Sequence, residues 1–347
     1  MPRFYFGKAF SLMAKTLPCV LAIMAANAVF GLVVVVYYIV LFGVLAIMPK
    51  GLELLSFVIF VVGLGGNFAL FKAFKHYFLY LLRAGHIAVM AEFLSAGKLP
   101  AGTSQISFGK TQVVDRFKSV SGMFVVGELV QGVVGAITNM MGGLLSFFPG
   151  DTLKQLGKIV AAVIKTASSY IDEAILARAF IQKDKNIFEV GKDGTILYAM
   201  AWKPILANAA GLAVLSWASM AIFIVLFVPV GYVMASVLPS SLDWVATVSV
   251  IAFAYLSKVS LGDTFAVATT IAAFHEETKN MVPSAEWNAK LTSASDKFRE
   301  LSKRATEKFT GAPTATPAAA PTHVAMAAAE LPPLPNMMGT VPPIPVQ

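Results

Sequence analysis

The stretch that decides the fold is residues 17–48, which read LPCVLAIMAANAVFGLVVVVYYIVLFGVLAIM. These 32 residues carry no charge and lie between Lys15 and Lys50. A helix of this length extends about 48 Å, more than the ~30 Å of hydrocarbon in a bilayer. The stretch predicts a transmembrane helix that tilts or extends beyond the bilayer, and it is too long for the apolar part of a cleaved signal peptide.

Three more apolar stretches follow along the chain. Residues 54–71 and 204–230 are uncharged, and residues 244–274 carry only Lys258 and Asp263. The whole chain is 57% hydrophobic and 13% charged, against roughly 25% charged in soluble domains, which excludes a conventional soluble enzyme. We expect an all-α, polytopic membrane protein with about four transmembrane helices, arranged as hairpins within residues 17–95 and 201–282.

Residues 96–200 form the predicted region between the hairpins. Within it, residues 129–150 are uncharged but contain Gln131, Asn139 and several glycines, and basic sequence flanks them on both sides. A single crossing would place the lysines that follow on the outer side, so we predict a re-entrant or interfacial element. Apolar residues from Leu153 to Ala174 recur at helical spacing between lysines, which predicts an amphipathic helix along the membrane face.

The net charge of +8 comes from basic residues beside the apolar stretches. We interpret them as topology signals and expect no nucleic-acid partner. Arg3, Lys8 and Lys15 precede the first hairpin, and Lys72 and other basic residues follow it. The positive-inside rule therefore places residues 1–16 and the C-terminus in the cytoplasm, with the chain in a cell or inner membrane.

Residues 283–309 carry apolar side chains at alternating steps of four and three, which is the spacing of a heptad seam. The seam contains Trp287, Leu291, Phe298 and Leu301. It is either a coiled-coil helix that docks a cytoplasmic partner or a helix packed on the bilayer or on this protein itself. Residues 310–347 are rich in Ala and Pro, which predicts a disordered tail. Its proline segment is a partner-binding candidate or an inert spacer, and it includes Pro332, Pro333 and Pro335.

Catalytic and metal-binding signatures are absent from the sequence. Gly109-Lys110-Thr111 looks like the end of a phosphate loop, but Ser104 stands where that motif needs glycine. The four histidines have no His-x-x-x-His spacing and no cysteine near them, so we predict no metal site. We therefore expect no enzyme activity and no cofactor.

Charged and aromatic residues within the apolar stretches are the candidates for a solute pathway. Lys258 and Asp263 lie in the last stretch and Trp217 in the one before it. Because five residues separate Lys258 from Asp263, a regular helix would place them on different faces, and we expect no direct pair. Separately, a stripe beyond the second stretch predicts either an anionic lipid headgroup site or a plain cytoplasmic surface; its residues are Lys72, His76, Arg83 and His86.

Two segments in the C-terminal half resemble the choline transporter-like family. The first is Tyr170-Ile171-Asp172-Glu173-Ala174-Ile175-Leu176-Ala177-Arg178-Ala179-Phe180, which resembles that family's amphipathic cytoplasmic segment. The second runs from Tyr255-Leu256 through Thr270-Ile271 and Phe274 to Glu276 and Glu277, and resembles its last helix. The resemblance implies a half-size relative that handles an amine or a lipid-headgroup compound, as a homodimer. The family has more spans and a cysteine-bearing outer loop, whereas this chain has Cys19 alone.

The sequence leaves two functions open. The first is transport of a small solute such as a choline-like amine, without a nucleotide site of its own. The second is a scaffold or accessory subunit that recruits cytoplasmic partners through residues 283–347. A lipid-modifying enzyme is a third class, and the sequence shows no acid, base or nucleophile arrangement that would support it.

Overall fold

A computed structural model describes residues 3–49, 51–117, 120–145, 170–237 and 243–307. Within these ranges the secondary structure is helical and includes no strand, which confirms the predicted all-α class. The helices are α1 (Phe6–Lys15), α2 (Leu17–Ala46), α3 (Glu53–Ala73), α4 (Tyr80–Ser95), α5 (Gln105–Phe117), α6 (Val120–Leu145), α7 (Ile171–Ile181), α8 (Ile187–Met200), α9 (Trp202–Val237), α10 (Asp243–Ser257), α11 (Asp263–Thr278), α12 (Ala285–Ala294) and α13 (Asp296–Thr306). Two π-helical segments, Phe74–Leu79 and Lys258–Gly262, join α3 to α4 and α10 to α11.

Four helical segments are long and apolar enough to cross a membrane: Leu17–Ala46, Glu53–Ala73, Ala218–Val237 and Trp244–Thr278. Large apolar side chains stand exposed along them; Val29, Phe57 and Val225 are 62%, 62% and 71% exposed. Helices that are apolar on all sides and expose such side chains need apolar surroundings. These segments match the predicted apolar stretches and indicate a membrane protein.

Helices α2 and α3 form a hairpin with close backbone contact. Its turn contains Gly51 at φ 103°, a conformation that glycine adopts without steric cost. At Gly63, an added Cβ would lie only 2.6 Å from Leu41 Cδ1. The Tyr37 hydroxyl donates a hydrogen bond of 2.6 Å to the Gly63 carbonyl, so a small residue and a polar contact together hold the two helices.

A second part of the molecule is packed like the interior of a soluble protein. Helices α4, α6, α7, α8, α11 and α13 share one core. Buried members from these helices are Met90, Val133, Ile175, Leu197, Phe274 and Phe298. Because α11 continues the last candidate span, the membrane segment and this core are joined through one nearly continuous helix.

Helix α6 differs from the membrane-associated element predicted for residues 129–150. Its side chains Leu129, Val130, Val133, Val134 and Ile137 are buried in the core. Helices α8 and α13 pack against α6 and cover this apolar face, which removes the need for lipid contact. Residues 146–150, and residues 153–169 of the predicted amphipathic helix, lie outside the described residues.

The predicted heptad helix is two helices in the structure. Between α12 and α13, Ser295 is extended, with φ −142° and ψ 118°, and its hydroxyl accepts the Phe298 N–H at 3.2 Å. A serine side chain that caps a new helix competes with continuation of the old one. Leu291, Phe298 and Leu301 are each 0% exposed, because they pack within this chain's own core.

Candidate functional site

A partly buried ion pair lies where α10 passes into α11. Lys258 Nζ is 2.6 Å from Asp263 Oδ1, and the two side chains are 24% and 16% exposed. The expectation that these residues would not pair is wrong. The segment between them is π-helical, and the Asp263 N–H donates a hydrogen bond to the Lys258 carbonyl. In this geometry, residues that are five apart lie on the same face of the helix.

The ion pair stands at the boundary between the apolar surface and the core. Before it, Ile251 and Tyr255 are about half exposed, at 51% and 50%. After it, Ala266 to Phe274 are buried without interruption. The π-helical segment also contacts α2, since Asn27 Nδ2 donates to Ser260 Oγ at 3.1 Å and both residues are buried. A polar cluster thus links two candidate spans next to the core.

Tyr170 connects the ion pair to α7. Its hydroxyl donates to Asp263 Oδ1 at 3.3 Å. Burial, with the charges of Asp263 and Glu173, raises the pKa of Tyr170, so the phenol stays protonated as a donor. Hydrogen bonds thus link Lys258 and Asp263 to Tyr170, which immediately precedes α7.

The first turn of α7 faces a cavity of about 150 Å³ enclosed by α4, α6, α7 and α8. Its lining is largely apolar. The polar residues that line it are Tyr80 and Arg83 on α4, with Asp172 and Glu173 on α7. We call this cavity the acidic cavity. An apolar pocket with a few converging polar groups is the usual form of a small-molecule site.

The carboxyl groups of this cavity are withdrawn from solvent. Asp172 Oδ1 and Glu173 Oε2 are buried and have no hydrogen-bond partner among the described residues. Burial, followed by the charge of Asp172 and a hydrogen bond with it, raises the pKa of Glu173 well above its usual value, while Arg83 acts in the opposite direction. Desolvated acceptors with unused lone pairs favour a ligand that brings positive charge and N–H or O–H donors. Among the described residues, no three His, Cys, Asp or Glu side chains cluster as a metal site would require.

The predicted headgroup stripe does not form one surface. Lys72 is exposed, whereas Arg83 lines the acidic cavity and His86 is 3% exposed. His86 Nε2 lies 2.7 Å from Thr16 Oγ1, and burial lowers the His86 pKa to about 4, so the ring is neutral. The π-helical segment Phe74–Leu79 changes the helical phase between Lys72 and Arg83. The His76 side chain lies outside the described residues.

The structure describes only some of the remaining site residues that the sequence predicts. Trp217 belongs to α9, but its side chain is outside the described residues, as are Pro332, Pro333 and Pro335 of the tail. Trp287 is half-buried and packs against the core beside Leu291, Phe298 and Leu301. The apolar seam of residues 283–309 therefore contacts this chain's own helices.

Sequence reasoning missed Asp172, Glu173 and Tyr80 as site residues. Acidic residues in the first turn of a helix are ordinary, because they stabilise its N-terminus. The available signal was the adjacent pair of acids followed by an almost uncharged apolar helix, which leaves no cation on α7 before Arg178 to pair with them.

Comparison with known proteins found no match: no protein family, no curated protein and no solved structure is significantly similar to this chain. The resemblance to the choline transporter-like family therefore stays a prediction, and the assignment of function rests on the geometry of the site.

Proposed function

We propose that this chain is a multi-pass membrane transporter of a small amine of the choline or ethanolamine class, without a nucleotide site of its own. The observation that carries the proposal is the pair of buried, unpartnered carboxyl oxygens on Asp172 and Glu173, two residues that line the acidic cavity. A cation that enters this cavity would supply the positive charge and donors that these oxygens lack.

The lining of the acidic cavity suits an organic cation. Its apolar walls, such as Ile87 and Val130, match methyl or methylene groups. Tyr80 adds an aromatic ring, whose face attracts ammonium groups. Within the described part of the chain, the guanidinium of Arg83 is the one basic group that lines the cavity, and it is suited to a hydroxyl or an anionic substituent at the other end of the solute.

The hydrogen bonds from Lys258 through Asp263 to Tyr170 link the last candidate span to the residue that precedes α7, and the first turn of α7 lines the acidic cavity. π-Helical turns are rare, and they occur mostly as single turns inside α-helices, frequently at functional sites. A change of register at Lys258–Gly262 would separate Lys258 from Asp263 and release Tyr170. We propose that this movement couples α7 to the last span during transport.

The proposed topology has four crossings and both termini in the cytoplasm. The only cysteine is the buried Cys19, so a Cys19→Ser background permits single-cysteine labelling. Leu52→Cys, in the α2–α3 turn, should react with an impermeant maleimide from outside intact cells. Lys290→Cys should react only after the membrane is opened. Labelling of both positions from the same side contradicts this topology.

The test of function is uptake of radiolabelled choline and ethanolamine by proteoliposomes that contain the full-length chain. We expect saturable uptake that falls at least tenfold in the double variant Asp172→Asn, Glu173→Gln. The matched control is Glu286→Gln, which removes a carboxylate whose ion pair with Lys290 is exposed and lies outside the cavity. No uptake of either amine, or equal uptake by the double variant, overturns the proposal.

A further inference from the structure

A second cavity lies on the opposite face of α7. Its volume is about 160 Å³, and α4, α7 and α11 enclose it. Arg178 and Gln182 from α7 line it, together with His275 and Lys279 at the end of α11. We call it the basic cavity. In contrast to the acidic cavity, its lining contains no aspartate or glutamate among the residues that the structure describes.

Two polar atoms at the basic cavity lack partners. Arg178 Nε and Gln182 Oε1 are buried and have no hydrogen-bond partner among the described residues. A guanidinium keeps its charge in proteins even though burial lowers the pKa of Arg178. A buried cation whose donor is unused is costly unless an acceptor reaches it. Arg178 Nε therefore needs an acceptor, which gains most if it is anionic, whereas Gln182 Oε1 needs a donor such as the hydroxyl of a singly protonated phosphate.

The neighbouring carboxylates are already engaged by other cations. Asp193, which acts on Arg178 from α8, lies 3.2 Å from Lys185 Nζ. Glu276 is held between Lys8 at 2.7 Å and Lys279 at 2.8 Å. The charged groups that act on His275 are Arg178, Lys279 and Lys8 against Glu276, which is three positive charges against one negative charge. An anion that binds in this cavity is therefore attracted by an excess of positive charge.

The dipoles of the two helices do not by themselves explain the unpartnered Nε atom of Arg178. Arg178 and Lys279 lie at the C-terminal ends of α7 and α11, where the helix dipole favours cations. That effect explains why basic residues stand there. It provides no acceptor for Arg178 Nε, because the carbonyls of the last turns are directed along the helix axis and the Arg178 carbonyl itself bonds to the Gln182 N–H at 2.9 Å.

We propose that the basic cavity binds a phosphate group, with Arg178 as the central donor and Lys279 and His275 as supporting contacts. Two sources share this chemistry: a free phosphate or phosphate monoester, and the headgroup of an anionic phospholipid. The second source is consistent with the position of the cavity at the end of the last candidate span. The proposal does not depend on amine transport.

The experiment uses the purified full-length chain in detergent and has two arms. The first measures binding of radiolabelled inorganic phosphate by equilibrium dialysis. The second measures binding of phosphatidic acid by native mass spectrometry, against the matching diacylglycerol, which lacks phosphate. Arg178→Gln should weaken binding about tenfold, the loss of one charge-assisted hydrogen bond, and Lys279→Gln should weaken it severalfold. Arg299→Gln is the control, because Arg299 is exposed and donates to the Thr292 carbonyl away from the cavity.

The two arms distinguish the sources. Saturable phosphate binding that Arg178→Gln weakens supports a soluble anion, and selective phosphatidic acid binding that the same variant weakens supports a lipid headgroup. Absence of binding in both arms, or binding that both cavity variants leave unchanged, overturns the proposal. If circular dichroism shows that Arg178→Gln does not fold, binding by Lys279→Gln tests the proposal. The exposed side chain of Lys279 can be replaced without loss of the fold.

Discussion

Lys258 and Asp263 form an ion pair of 2.6 Å across five residues of sequence, a contact that a regular α-helix does not permit. The π-helical segment between them brings both side chains to one face, where Tyr170 joins them. This local departure from α-helical geometry connects a candidate membrane span to the residue that precedes α7, the helix whose first turn lines the acidic cavity.

Lys258→Ala and Asp263→Asn should each reduce amine uptake at least tenfold, because each breaks the polar path to Tyr170. Lys258→Ala should also destabilise the protein, since it leaves a half-buried carboxylate unpaired. The double variant Lys258→Ala, Asp263→Asn should recover part of that loss, with a coupling free energy of about 0.5–3 kcal/mol. Chemical unfolding in detergent measures the coupling. Additive effects of the two substitutions would show that the pair is not an energetic unit.

Glu173→Gln should raise stability at neutral pH while lowering uptake. Burial raises the pKa of Glu173 in the folded chain, so the folded state binds a proton more tightly than the unfolded state. That contribution to stability is complete below the unfolded pKa and is lost as the pH rises through the folded pKa. A glutamine side chain stays neutral at every pH, so the variant does not lose stability as the pH rises. We expect the melting temperature of the variant to exceed that of wild type increasingly as pH rises.

The same titration predicts the pH dependence of uptake. A carboxylate binds a cation and a neutral carboxyl does not, so wild-type uptake of choline, whose own charge is constant, should rise as pH rises through the pKa of Glu173. Uptake by Asp172→Asn should keep a rise with pH, and residual uptake by Glu173→Gln should not. A rise of equal size in Glu173→Gln would assign the pH dependence to another group.

Arg116→Met should destabilise the fold by about 2–4 kcal/mol, because several hydrogen bonds from one charged group are lost. The guanidinium of Arg116 donates to the carbonyls of Ala179, Gln182, Lys183 and Lys185 at 2.6–2.9 Å, and so satisfies the C-terminal end of α7. Arg116→Lys should be nearly as damaging, since one ammonium cannot reach four carbonyls. Thermal unfolding measures both variants, and a loss no larger than that of Lys110→Met, an exposed neighbour on α5, would contradict the prediction.

Phe298→Ala should destabilise the protein by about 3–5 kcal/mol, the usual loss for a fully buried phenylalanine. Lys303→Ala, on the exposed side of α13, should change stability by less than about 0.5 kcal/mol.

The comparison of these two variants also tests the alternative that the protein is a scaffold. If Phe298→Ala left stability unchanged but removed a co-purifying protein, the seam would serve a partner, and a pull-down with residues 310–347 would test whether the tail contributes.

The sequence alone determined the secondary-structure class and the four apolar helices. Transfer of a helix into hydrocarbon depends on its own composition and length, so residues 17–48 and 204–230 can be interpreted without knowledge of their neighbours. The single heptad helix failed for a local reason, the capping preference of Ser295, which a search for apolar spacing does not detect.

The site was decided only by tertiary structure. The acidic cavity combines residues from α4 and α7, which are far apart in sequence, and the withdrawal of Asp172 and Glu173 from solvent depends on α6 and α8 closing over them. The pair of Lys258 and Asp263 depends on a π-helical turn, and Asn27 on α2, far away in the sequence, donates a hydrogen bond to Ser260 in that turn. Hydropathy depends on the residues of one segment, whereas the pKa of a carboxyl group and the partner of a charge depend on what the rest of the chain places around it.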